Sequence, residues 1–226
     1  MIAQKIIVAV DGPAGSGKST VSRMVASGIG LKYIDSGALY RSITLYLLER
    51  YGTVERDFNF SECLPQIELQ QDFLDDGTCL TRLNGADVTK KIRDERVARF
   101  IGIVSDSRTV REFVNDLLRM WSIKESIIMD GRDIGTIVFP GADLKIYLDA
   151  SIEVRAERRI NEYREMGKNV DEITVKKQII QRDEEDRSRP FGALKQAHDA
   201  VYIDTSNMSR DEVVRRIISL VKKALH

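Results

Sequence analysis

The chain has 226 residues, enough for one sizeable core with a small inserted subdomain and too few for two ordinary domains. Its 35 Lys and Arg balance 35 Asp and Glu, so no global field draws it to nucleic acid or an anionic membrane, and basic residues have to act locally. Cys63 and Cys79 form no C-x-x-C pair and the only histidines are His198 and His226, which excludes a zinc site and a disulfide framework. Met1 leads directly into an apolar run without a cleavable leader, and no stretch approaches ~18 uninterrupted apolar residues, so a cytoplasmic protein with no membrane attachment is expected.

The first element is Ile6 to Val10, a buried parallel strand by composition. It runs into Gly12-Pro13-Ala14-Gly15-Ser16-Gly17-Lys18-Ser19, which fits the phosphate-loop pattern G-x-x-x-x-G-K-[ST]. Val21, Met24 and Val25 then recur at i, i+3 and i+4, the inward face of a helix starting near Lys18. Such a loop points several backbone N–H groups at one place, the helix N-terminus adds to their field, and the Lys18 ammonium reaches the outer phosphates. Ser19 supplies the hydroxyl that loops of this kind offer to Mg2+.

Further apolar runs follow at 32–34, 126–129, 144–148 and 200–203, with helical patterns between them. That alternation predicts an α/β fold: an open parallel sheet of about five strands with helices on both faces. Asp11, Asp35, Asp130, Asp149 and Asp204 each stand near the C-terminal end of a run, the edge where ligands of such sheets lie, and some of the five have to be helix caps. Residues 57–93 break the alternation. There Asn84-Gly85 between short strand-like runs predicts a hairpin, hence a small β insertion packed as a lobe. The chain closes with a helix from Ser209, whose Ser209-Arg210-Asp211-Glu212 start is a capping-box pattern.

Three segments carry candidate chemistry besides the loop. After the second strand comes Asp35-Ser36-Gly37-Ala38-Leu39-Tyr40-Arg41, with Arg41 one turn into a helix and able to reach back to the sheet edge. The third strand ends in Asp130-Gly131-Arg132-Asp133-Ile134-Gly135, two acids and an arginine bounded by glycines. Arg155, Arg158 and Arg159 share one helix, and Arg182, Asp186 and Arg189 fall at i, i+4 and i+7 as a single stripe on the next. Interleaved acids permit an ion-paired surface, but in a polyphosphate binder the clustered arginines of 152–190 read as a helical lid over a transferring phosphoryl group. No histidine is placed by a motif to remove a proton, which suits an acceptor that is itself a phosphate, already largely dianionic at neutral pH with a second pKa near ~6.

Through these linked motifs, together with Leu148-Asp149-Ala150-Ser151, the chain resembles the bacterial-type cytidylate kinases among the nucleoside monophosphate kinases, over nearly its whole length. The resemblance implies transfer of the γ-phosphoryl of ATP to CMP or dCMP with Mg2+ as cofactor; a monomer is expected, and zero net charge with one tryptophan speaks against a nucleic-acid partner. It implies that Gly12, Pro13, Ala14, Gly15, Ser16, Gly17, Lys18, Ser19 and Thr20 bind ATP, with Ser19 on the metal. Ser36, Tyr40, Arg41, Arg132, Arg182, Asp186 and Arg189 would hold the acceptor's phosphate and sugar, Arg111 and Asp133 would read its base, and Arg158 would belong to the lid. Lys18, Arg132, Arg158 and Arg189 are the residues expected to act on the transferring group. It also places residues 57–93 on the monophosphate side. Where relatives have a serine against cytosine this chain has Gly102, with Ser105 one turn further on. A UMP kinase and a nucleotide-gated regulatory ATPase remain the alternative readings.

Overall fold

A computed structural model describes residues 5–74, 77–123, 125–165 and 167–225. His226 lies outside them, as do residues 75 and 76 of the insertion and Met166 of the lid segment. Five parallel strands form the central sheet: β1 (Ile7–Asp11), β2 (Lys32–Asp35), β6 (Ile127–Gly131), β7 (Leu144–Asp149) and β8 (Val201–Asp204), in the order β2-β6-β1-β7-β8. Their buried Val, Ile and Met residues explain the near-continuous apolar runs, since both faces are covered. On one face α1 (Lys18–Ile29) and α7 (Arg210–Ala224) bury Val21, Val25, Ile217 and Val221 against Val8, Val10 and Ile146. On the other, α2 (Ser36–Tyr51), α3 (Glu95–Asp106) and α4 (Arg108–Trp121) bury Leu39, Ile43, Leu47, Val104, Val114 and Leu118 against Ala9 and Met129. Helix α7 starts at the expected capping box, with Ser209 and Glu212 each bonded to the other's backbone N–H.

The inserted segment departs from the expected lobe in two ways. It contains three antiparallel strands, β3 (Leu69–Phe73), β4 (Cys79–Leu83) and the short β5 (Ala86–Asp87), where the sequence suggested one hairpin. The turn between β4 and β5 is the Asn84-Gly85 pair, with φ of 48° and 80°. Nor does it stand apart. Phe60, Leu64, Ile67, Leu69, Leu83 and Val88 enter the same core as α2 to α4. Gln71 of β3 also bonds the edge of β2 through its side chain, donating to the Asp35 carbonyl at 2.8 Å and accepting from the Asp35 N–H at 3.1 Å. β3 was hidden because it has no apolar alternation: its outward residues Gln70 and Asp72 flank Gln71, whose amide serves as a sheet-edge partner.

Helices α5 (Ile152–Glu165) and α6 (Glu172–Ser188) form a hairpin with a small core of its own, Ala156, Ile160, Val175 and Ile179. The arginine stripe is not helical throughout. Arg189 lies just past the end of α6, in a non-helical conformation, so the third member of the stripe reaches the cluster from the following turn.

Candidate active site

The phosphate loop joins β1 to α1 as expected and is closed on its own lysine. The Lys18 ammonium, 5% exposed, donates to the Pro13 carbonyl at 2.7 Å and to Ser16 Oγ at 3.3 Å, and the Ser16 hydroxyl donates to the same carbonyl at 3.0 Å. Burial, and next the Arg132 charge, push the Lys18 ammonium down to about 7 from 10.5. A buried cation beside an arginine is a site that favours an anion.

Of the five strand-end aspartates, one faces this loop. Asp130 accepts from Ser19 Oγ at 2.8 Å with one oxygen and from the Tyr33 hydroxyl at 2.6 Å with the other. Burial and the nearby Asp35 charge raise the Asp130 carboxyl above its ordinary value. Asp35 caps α2 through Ala38 N–H and pairs with Arg93 at 2.6 Å. Asp11 accepts from the Ile134 and Gly135 N–H groups, pinning the single π-helical turn Ile134–Val138 behind β6, and burial lifts it to about 6. Asp149 and Asp204 hold loop backbone and hydroxyls.

The second cluster centres on Asp186, which is fully buried. Its carboxylate receives Arg132 Nε at 2.6 Å, Arg189 Nη2 at 2.9 Å and Arg182 Nη2 at 3.2 Å. Burial opposes its charge, but Arg132, Arg182 and Arg189 outweigh that and hold the carboxyl down to about 2. Three guanidinium groups are thus gathered around one carboxylate, with further N–H donors in reach of an incoming anion. Arg41, on α2, sits amid the charges of Arg93, Asp35, Arg182 and Arg159, and burial, then Arg93, push it down to about 10. The Ser36 hydroxyl donates to the Asp130 carbonyl at 2.6 Å, so in this arrangement it is engaged with backbone.

Beside that cluster lies a buried ion pair, Arg111 Nη2 to Asp133 Oδ1 at 2.6 Å, with Tyr40 under the guanidinium at 5.4 Å. Arg111 Nε and Asp133 Oδ2 are both buried without a hydrogen-bond partner among the described residues. Arg111 Nε and Asp133 Oδ2 thus each keep a hydrogen-bonding capacity, one donor and one acceptor, that the described residues do not fill. Ser105 borders the pair: Arg111 donates to its carbonyl at 3.0 Å, Arg189 to its hydroxyl at 3.4 Å, and that hydroxyl donates to the Gly102 carbonyl at 3.2 Å. The space beside Gly102 is bordered by Arg182, whose Nη1 lies 3.6 Å from where a Cβ would stand.

Arg158 does not join the Asp186 cluster. It lies over the phosphate loop, donating to the Ser16 carbonyl at 3.2 Å and to both the hydroxyl and the carbonyl of Thr205. Sequence reasoning also passed over residues that hold the site in shape. Tyr33 orients Asp130; its only signal was a polar tip in a buried strand. Gly192, with φ of 70°, packs so closely on Arg111 that a Cβ there would come within 2.2 Å of Nε. Asp106 holds Arg189 Nε at 2.7 Å. Each acts across a long sequence separation, which spacing cannot register.

For Mg2+ the relevant donors are oxygens. No group of three or more His, Cys, Asp or Glu among the described residues is arranged to hold a metal. The adjacent Ser19 hydroxyl and Asp130 carboxylate nevertheless suit an ion that keeps several waters and takes its other ligands from a phosphate chain.

The sequence profile of the family described as cytidylate kinase matches residues 8–223. The cytidylate kinase of Caldicellulosiruptor bescii is 40% identical over 222 residues, covering 98% of each chain. That of Shouchella clausii is 42% identical over 216 residues, covering 96% of each. Among solved structures, an uncharacterized protein from Eubacterium ventriosum shares the overall path at a TM-score of 0.54 and 13% identity, over 96% of this chain and 99% of that one. With a full-length profile and relatives of this identity, the chain belongs to the cytidylate kinase family.

Proposed function

We propose that the chain transfers the γ-phosphoryl group of ATP to CMP or dCMP, giving ADP and CDP or dCDP. The observation that carries this reading is the pair of anion sites at one edge of the sheet: the loop with Lys18, and the guanidinium groups of Arg132, Arg182 and Arg189 around Asp186. ATP occupies the first through the backbone of Gly12 to Gly17 and the side chains of Lys18, Ser19 and Thr20. The acceptor's phosphate occupies the second, with Ser36, Tyr40 and Arg41 around its sugar and phosphate. Arg132 is common to both, since its charge is felt at Lys18 and its Nε is bonded to Asp186. Ser19 and Asp130 would hold Mg2+, which would supply charge neutralisation to the phosphate chain of the donor.

The acceptor phosphate is its own nucleophile, so no general base is needed, and rate rests on alignment and on charge stabilisation by Lys18, Arg132, Arg158 and Arg189. Base choice follows from the unpaired oxygen of Asp133. Cytosine presents an N4 amino donor to it, whereas uracil presents an acceptor that a carboxylate repels. Arg111 Nε serves an acceptor of the same ring. Closure of α5 and α6 over the two nucleotides excludes water from the transferring group. One chain carries both anion sites, so we assign the activity to a monomer with small-molecule partners only. No helix among the described residues is long and apolar enough to cross a membrane.

The test is a coupled assay of ADP release with purified protein, ATP and Mg2+, comparing CMP, dCMP, UMP and AMP. CMP and dCMP should be turned over fastest. ATP consumption indifferent to any monophosphate would favour the regulatory-ATPase reading, and faster turnover of UMP would remove the role given to Asp133.

A further inference from the structure

The donor loop and the acceptor helix are joined by one buried side chain. Arg155, in the first turn of α5 and 3% exposed, donates from Nη1 to the carbonyl of Ala14 in the phosphate loop at 3.1 Å, and from Nε to the Ala150 carbonyl at 3.0 Å. The same Nη1 pairs with Asp183 Oδ2 of α6 at 2.8 Å, with both side chains 4% exposed. Helix and loop are in direct contact beside this bond, because the Arg155 Cβ lies 3.3 Å from where a Cβ on Gly15 would stand. Asp183 in turn is next in sequence to Arg182 and one helical turn from Asp186, the centre of the acceptor cluster.

Stability alone gives little reason for this pair, because a buried ion pair contributes no more than apolar packing of the same volume. Its geometry is also incomplete: Asp183 Oδ1 is buried with no hydrogen-bond partner among the described residues. A carboxylate oxygen left unpartnered is unfavourable, so the present seat of α6 is not one in which the pair is fully satisfied. We propose that the Arg155–Asp183 pair is a coupling element, by which occupancy of the phosphate loop favours the arrangement of α6 that seats the acceptor. A triphosphate in the loop draws the backbone N–H groups toward itself and reorients the Ala14 peptide. Arg155 passes that shift to Asp183, and so to Arg182 and Asp186. By linkage, the acceptor then tightens donor binding by the same factor. The inference rests on the assignment of the two nucleotide sites made above. Arg155 and Asp183 are positioning residues, and neither touches substrate in it.

Calorimetry tests it by measuring CMP affinity with and without saturating β,γ-methylene ATP and Mg2+. In the unaltered protein the analogue should tighten CMP by about fivefold or more. In Asp183→Asn and in Arg155→Lys, which keeps the charge but not the fork that spans Ala14, Ala150 and Asp183, that factor should fall to within about twofold of one. CMP affinity without the analogue should change by less than about threefold, since the residues that hold CMP are retained. A folded variant that keeps the full coupling factor overturns the proposal, as does an unaltered protein that binds both ligands independently. If neither variant folds, the pair is a structural support and the proposal falls. If the unaltered protein binds no CMP at all, it is the assignment of the acceptor site that fails.

Discussion

Lys18 shows how burial and use are linked at the level of one residue. Its ammonium is enclosed by the loop it serves, and burial with the nearby Arg132 charge pushes it down to about 7, toward the uncharged form. A triphosphate restores the charge, because an anion beside an amine favours its protonated form. The sign is therefore uptake: at pH 8, binding of ATP should take up a substantial fraction of one proton per site, seen by calorimetry as a binding heat that varies with the ionisation heat of the buffer. Lys18→Met should abolish that dependence and lower kcat by about 10²- to 10³-fold in a folded protein. A buffer-independent heat in the unaltered protein would contradict the proposed environment of the lysine. Arg189→Ala belongs to the other site. It removes one of the partners of Asp186 and should raise the KM for CMP by about tenfold or more while leaving the KM for ATP within about twofold. If only the ATP constant moved, the acceptor site would be misplaced.

Among the elements, the turn after α6 decides more than its sequence suggests. Arg189 enters the Asp186 cluster from beyond the helix, and Gly192 lies flat on the Arg111 guanidinium. Gly192→Ala puts a side chain where Arg111 now stands and at a positive φ. It should raise the KM for CMP by about tenfold through displacement of Arg111 from Asp133, with the protein still folded. An unchanged KM in a folded variant would show that the Arg111–Asp133 pocket is not where the base binds. Capping offers a check independent of function. Ser209→Ala at the start of α7 should lower stability by about 1 kcal/mol in denaturant unfolding and leave turnover unaltered. The core elements were legible because each announces itself locally: β1 and β6 as unbroken apolar runs, β7 as one interrupted only by Lys145, the loop by glycine spacing, α7 by its cap. β3 and the last member of the arginine cluster were not, since Gln71 acts as a strand partner through its side chain and Arg189 works from a turn. The candidate site divides in the same way. Lys18, Ser19 and the glycines follow from a motif, whereas Tyr33, Asp106, Arg155 and Gly192 matter only through what a distant segment brings beside them.

The whole molecule is an open sheet whose two covered faces are apolar and whose C-terminal edge carries the charge. The insertion is part of the main core, whereas the hairpin of α5 and α6 has a small core of its own, so in the proposed reading CMP would lie against a firm wall of α2 and β3 and closure would fall to the hairpin. That hairpin touches the body through polar contacts: Arg155 and Arg158 on the phosphate loop, and Lys168, in the turn between α5 and α6, on Glu95 at the start of α3. Because the Lys168–Glu95 pair is exposed, its hold between hairpin and body should weaken with salt, whereas the buried contacts should not. Zero net charge leaves the remaining surface without a field of its own, so the attraction for two nucleotides is confined to the edge where the two anion sites meet. A crystal structure with CMP, β,γ-methylene ATP and Mg2+ tests that account most directly. It should show the CMP phosphate on Arg132, Arg182 and Arg189, the cytosine amino group on Asp133, and the γ-phosphate between Lys18 and Arg132. CMP bound elsewhere, with the three arginines still closed on Asp186, would contradict it.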